Sequence, residues 1–177
     1  MSKSKLKKSI KDLDADQLRD LVIEIYEAVP TAKRWLDFYS DPNVDKALEN
    51  AKTKITRAIY STTGTVRRNP SFSKLKEVVG EFILMCPEPM VVADVLTAAL
   101  LTVVRAYGER PRVMSARITS CRLLFEYALK QLDRYGVLEQ RGKELQSVID
   151  KASASSRELG IIFRNSYENY LDLPHQD

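Results

Sequence analysis

Residues 91–107, VVADVLTAALLTVVRAY, constrain the fold more than any other stretch of this chain. Asp94 and Arg105 are its only charges, and no charge lies between them. Val92, Leu96, Ala99 and Val103 follow a helical 4-3-4 spacing, and Val91, Val95, Leu100 and Val104 form a second apolar stripe beside them. A helix apolar on nearly every face has to be buried on nearly every face. The spacing therefore predicts a central helix wrapped by more amphipathic ones. Its uncharged run falls well short of the ~18 residues a membrane span needs, so the expectation is a core helix and no membrane.

The flanking sequence supplies the wrapping. Leu75, Val78, Val79, Phe82, Ile83 and Cys86 mark one amphipathic helix, and Cys86–Pro87–Glu88–Pro89 turns it into the central one, because two prolines in three residues cannot continue a helix. Gly108 is expected to close the central helix as a left-handed cap. After Pro111, a single long helix is expected through the seam Met114, Ile118, Cys121, Phe125, Ala128, Leu132 and Tyr135, ended by Gly136. Leu138, Leu145, Val148, Ile149 and Ala152 mark a further helix, which the small polar run Ser153–Ser156 interrupts. Leu159, Ile162, Phe163 and Tyr170 mark the last helix, with Gly160 weakening its start.

Toward the N-terminus, residues 3–11 form a short amphipathic element with Lys3, Lys5, Lys7, Lys8 and Lys11. Asp14 and Gln17 have capping-box spacing ahead of Leu18, Leu21, Val22, Ile25 and Val29. A short helix through Trp35, Leu36 and Tyr39 follows, then one with Asp41 as cap and Pro42 in its first turn, carried by Val44, Leu48, Ala51, Ile55, Ala58 and Ile59. Residues 61–70, STTGTVRRNP, form the clearest loop. The fold class is all-α: an irregular bundle of about seven to eight helices, with antiparallel helical hairpins around a buried central helix. At 177 residues and 44% hydrophobic composition the chain suits one domain over 1–177, and a subdomain break, if there is one, falls at 61–70.

Little in the sequence carries chemistry. The single histidine, His175, lies in the tail, so zinc-hydrolase, Ser/His/Asp and Cys/His arrangements have no histidine within the fold. The glycines are too scattered for a phosphate-cradling loop. Cys86 and Cys121 sit in apolar stripes and read as reduced core thiols of a cytoplasmic protein. No catalytic residue, cofactor or metal site is assigned, and the chain reads as a non-enzyme. Two features remain. Glu77 and Glu81 lie four apart on one helix, and Asp94 is the lone acid of the apolar stretch; such acids can bind a cation or do acid–base work. Residues 105–122 hold Arg105, Arg110, Arg112, Arg117 and Arg122 against one acid, Glu109, and Arg67–Arg68 in the loop could join them. Arg105, Arg110, Arg112 and Arg117 are the candidate anion-binding residues.

The order of segments is itself informative. SKSKLKKSIKDLDADQLRDLVIEIYE, AKRWLDFYSDPN, KLKEVVGEFILMCPEP, ADVLTAAL and the RAYG corner occur in an order that resembles a bacterial family catalogued only as a domain of unknown function. The resemblance spans most of the chain. It implies a cytoplasmic, all-helical protein, and it implies no activity and no functional residues. Relatives tend towards acidic text after the Tyr–Gly corner, whereas this chain has Glu109–Arg110–Pro111–Arg112.

Three functions are then in play. The first is a helical interaction or scaffold protein acting through a protein partner or self-association. The alternative is binding of RNA or another polyanion through the basic clusters at 3–11 and 105–122. The second alternative is a metal protein or enzyme using Glu77, Glu81 and Asp94.

Overall fold

A computed structural model describes residues 2–172. Among them the chain forms ten α-helices and no strand. The all-α expectation holds, and the helix count exceeds the expected seven to eight because two of the anticipated helices are split or preceded by short ones. The chain divides into two compact units, residues 1–43 and 44–177. The connection at 61–70 lies inside the second unit.

The first unit holds α1 (Lys3–Lys11), α2 (Ala15–Ala28) and α3 (Pro30–Ser40). The Asp14 carboxylate accepts the N–H groups of Asp16 and Gln17, and the Asp14 N–H donates to Gln17 Oε1 at 3.0 Å, completing the capping box. Helices α2 and α3 pack as a hairpin. The Tyr26 hydroxyl donates to Asp37 Oδ1 at 2.9 Å, and the Lys33 ammonium lies 4.9 Å from the Tyr26 ring centroid. Asp41 closes α3, its N–H donating to the Asp37 carbonyl, and is not the cap of the following helix. Helix α4 begins only at Val44, so Pro42 lies ahead of it and not in its first turn.

The second unit holds α4 (Val44–Ile59), α5 (Phe72–Met85), α6 (Pro89–Glu109), α7 (Pro111–Ser115), α8 (Ile118–Arg134), α9 (Gly142–Ser155) and α10 (Arg157–Leu171). Helix α6 is the expected central element. Ten of its residues are buried, and it packs against α4, α5, α7, α8 and α9. Its most extensive neighbours are α4 and α9, whereas the sequence order favours α5 and α8. By length and composition α6 could cross a membrane, but here its apolar faces are covered by other helices. On the far side, α8, α9 and α10 form a layer in which the Phe125 and Phe163 rings stack at 4.3 Å. Both are fully buried.

The glycines divide by role, and two differ from expectation. Gly136, at φ 67°, closes α8 in a Schellman motif, with Gly136 N–H donating to the Asp133 carbonyl and Val137 N–H to Leu132. Gly108 is not a left-handed cap. It lies inside α6, which ends at Arg110 because Pro111 bars that residue from helical geometry. A Cβ on Gly108 would stand 3.3 Å from Ser155 Oγ. Gly160 does not merely weaken α10. A Cβ there would stand 2.6 Å from Ser153 Cα, so only glycine lets α10 approach the end of α9 this closely. The long helix expected after Pro111 is broken at Ala116–Arg117, where the Arg117 N–H closes a tight turn onto the Met114 carbonyl. Met114 remains fully buried.

Candidate functional site

Residues 60–70 fold back on the end of α4. Ser61 N–H donates to the Thr65 carbonyl, Gly64 takes φ 77°, and Tyr60 and Val66 pair as an isolated antiparallel bridge. Glycine is required at that turn because other side chains rarely adopt positive φ. The fold-back brings Arg67 against its own helix, where Nε donates to the carbonyls of Arg57 and Tyr60, both at 2.9 Å.

Arg110 and Arg117, on either side of α7, reach this loop. Arg110 Nη1 donates to the Val66 carbonyl at 3.0 Å, and Arg117 Nη2 reaches Asn69 Oδ1 at 3.5 Å. The Arg105 guanidinium lies 5.3 Å from the Tyr60 ring centroid and pairs with Glu109 Oε1 at 2.7 Å. The sequence-predicted residues Arg105, Arg110 and Arg117 are thus brought together with Arg57, Arg67 and Arg68, and Arg112 sits exposed between Arg110 and Arg117 on α7. The segments 57–70 and 105–117 hold seven arginines and one acid, Glu109, and a second acid, Glu158, accepts from the Tyr107 hydroxyl beneath them at 3.3 Å. Most of their contacts are to carbonyl oxygens, which satisfy N–H groups without neutralising charge. Arg122, by contrast, pairs with Glu126 at 2.9 Å and lines a groove of about 410 Å³ between α8 and α10.

Beneath the corner, Tyr60 is 4% exposed and its hydroxyl has no hydrogen-bond partner among the described residues. Burial and the nearby Glu109 carboxylate push it up to about 12. The aromatic side chains here, Tyr60, Phe72 and Tyr107, are all buried.

The acids of the sequence have structural partners. Asp94 Oδ1 accepts from Arg141 Nη2 at 2.8 Å, and Glu144 accepts from Nη1 of the same arginine at 2.6 Å. The Arg141 side chain is only 12% exposed and also donates to the Met90 carbonyl, so it fastens the start of α6 to the start of α9. Burial opposes its charge, and the Glu144 and Asp94 carboxylates outweigh that effect and hold its pKa above the ordinary guanidinium value. Arg141 was not legible as a site residue, since nothing in its local sequence marks a partner 47 residues away. Glu77 pairs with Lys74 on the surface, and Glu81 is half-buried. Among the described residues no three His, Cys, Asp or Glu side chains gather as metal ligands. His175 lies outside the described residues. Cys86 and Cys121 are free and buried, and burial pushes the Cys121 thiol up to about 12.

The first unit presents a different surface. None of its helices has a buried residue. On α2 and its C-cap residue, Leu18, Val22, Ile25 and Val29 form a 4-3-4 stripe that is 37–44% exposed. On α3, Trp35 and Tyr39 stack at 5.6 Å and are exposed as well.

Residues 1–170 match the profile of a family of unknown function, DUF6155. No curated protein and no solved structure matches the chain.

Proposed function

The chain belongs to that family, and since membership brings no assigned activity, we propose that it works without catalysis, through protein–protein contacts, and self-associates through its first unit. The observation that carries this is the uncovered stripe on α2. Leu18, Val22, Ile25 and Val29 repeat as coiled-coil knobs do, and a seam of that spacing is stabilised when a second helix receives it. A unit of some 43 residues with no buried side chain lacks the core that chains near this size need to stand alone, a lack that association commonly supplies.

Charge favours a second copy as the occupant. Residues 1–43 carry eight Lys and Arg against eight Asp and Glu, and the signs are segregated. Helix α1 is basic through Lys3, Lys5, Lys7, Lys8 and Lys11. Helix α2 carries Asp16, Asp20, Glu24 and Glu27 against Arg19 alone. A two-fold interface needs a surface complementary to itself, and a neutral unit divided into one basic and one acidic helix meets that need. A uniformly charged partner would meet only half of it. The two buried free thiols fit a reducing, cytoplasmic setting.

Light scattering on the eluting protein tests the proposal. The full chain should run as a dimer at micromolar concentration, and Val22→Glu/Ile25→Glu should run as a monomer with unchanged helical content. A monomeric wild type, or a dimer indifferent to that double substitution, would overturn it.

A further inference from the structure

We propose that the arginine corner of the second unit binds the phosphodiester backbone of duplex nucleic acid without reading its sequence. The surface is built by the fold from three separated segments: the end of α4, the 60–70 loop, and the stretch from the last turns of α6 through α7. Its segments carry Arg57, Arg67, Arg68, Arg105, Arg110, Arg112 and Arg117 with Glu109 as their one acid, an excess larger than the +4 of the whole chain; Glu158 of α10 lies beneath, held by the Tyr107 hydroxyl. Glu109 is committed to Arg105. Arg67, Arg110 and Arg117 are oriented by neutral oxygens of the loop and keep their charge. Arg57, Arg68 and Arg112 are exposed and have no acid partner among the described residues. Guanidinium groups present planar forks of donors that match phosphate oxygens.

Two features select the ligand. Tyr60, Phe72 and Tyr107 are buried, so the corner offers no platform on which unpaired bases could stack. No helix of the corner is long enough and free enough to enter a groove: α7 has five residues and lies against α6 and the loop. Backbone contact without stacking or base readout suits a duplex and predicts indifference to sequence.

Fluorescence anisotropy with the full-length chain and labelled RNA and DNA duplexes of about 20 base pairs tests this, at about 50 and 200 mM KCl. If at least three phosphates are neutralised, affinity should fall about 40-fold or more between the two salts, from a slope of about −0.9 per phosphate. Arg57→Ser/Arg68→Ser/Arg112→Ser should lose about ten-fold or more at the lower salt, since each removes one phosphate contact and no intramolecular partner. If that variant does not fold, Arg68→Glu alone gives the same comparison. Preference for one duplex identifies the source, and equal binding to both is expected of backbone contact. Tighter binding to a single strand, equal binding to phosphatidylserine vesicles, no binding at the lower salt, or a loss caused by Lys5→Gln/Lys7→Gln/Lys8→Gln in place of the arginine variants would overturn the proposal.

Discussion

Helices α2 and α8 carry the same apolar rhythm and meet opposite fates. Leu18, Val22, Ile25 and Val29 on α2 are spaced 4-3-4, and so are Cys121, Phe125, Ala128 and Leu132 on α8. The first four are at least 37% exposed, and the second four at most 1%. Periodicity identifies the face a helix must bury. It does not say what covers that face. In the second unit, α5, α6 and α10 are within the same compact body and supply the cover. In the first unit the cover is partial, leaving these residues 37–44% exposed, and the proposed second copy completes it.

The same truncation should therefore behave differently in the two units. Phe125→Ala removes a fully buried ring stacked on Phe163 and should cost about 3–5 kcal/mol. A calorimetric scan should show the main unfolding transition fall or disappear. Gly160→Ala should be next, at roughly 1–3 kcal/mol, because the new methyl meets the backbone Cα of Ser153 as well as its side chain, and the backbone cannot swing aside. Chemical denaturation reads it directly. Gly64→Ala at the 60–70 turn would instead report on positive φ in open space, with no packing contribution.

Alkali probes the same buried layer. The Cys121 thiol ionises near 9 when unfolded and is held up to about 12 in the fold. A raised folded-state pKa means that the folded protein holds the proton more tightly. Its contribution is complete below about pH 9 and is lost as pH climbs towards about 12. Stability should drop by on the order of 1 kcal/mol per pH unit across that window from this group. Comparison of Cys121→Ala with wild type in urea at pH 8 and about pH 10.5 should find a smaller pH-dependence in the variant. An equal slope would show that the thiol reaches solvent without unfolding. The smallest effect belongs to Ile25→Ala in the first unit. In dilute, monomeric protein it should lie within about 0.5 kcal/mol of wild type, as surface substitutions do.

Much of the second unit was legible from local signals. The hairpin of α5 and α6 follows from Pro87 and Pro89, the end of α8 from Gly136, and the break before α10 from Ser156, whose hydroxyl accepts the Leu159 N–H. The errors share a cause. Gly108 and Gly160 have flanking sequences like those of caps and helix weakeners, yet their roles are set by Ser155 and Ser153 on another helix. The four anion-binding candidates, Arg105, Arg110, Arg112 and Arg117, were visible as a basic run, and the loop arginines were suspected with them. Arg57 was missed, because only the fold-back at Gly64 brings the α4 end beside Arg67. Asp94 stood out as the lone acid of the apolar stretch, but its partner Arg141 was beyond reach, since the pair joins residues 47 apart.

Hydrogen exchange followed by mass spectrometry tests the central claim most directly, by asking whether the α2 seam is covered in solution. Amides of Ala15–Ala28 should gain protection as wild-type concentration rises from about 1 to about 100 μM, as expected where association stabilises the folded form by mass action. The same amides in Val22→Glu/Ile25→Glu should stay unprotected at both concentrations, while α6 and α8 remain protected throughout. Exchange across Ala15–Ala28 that is equally fast at both wild-type concentrations would contradict the account.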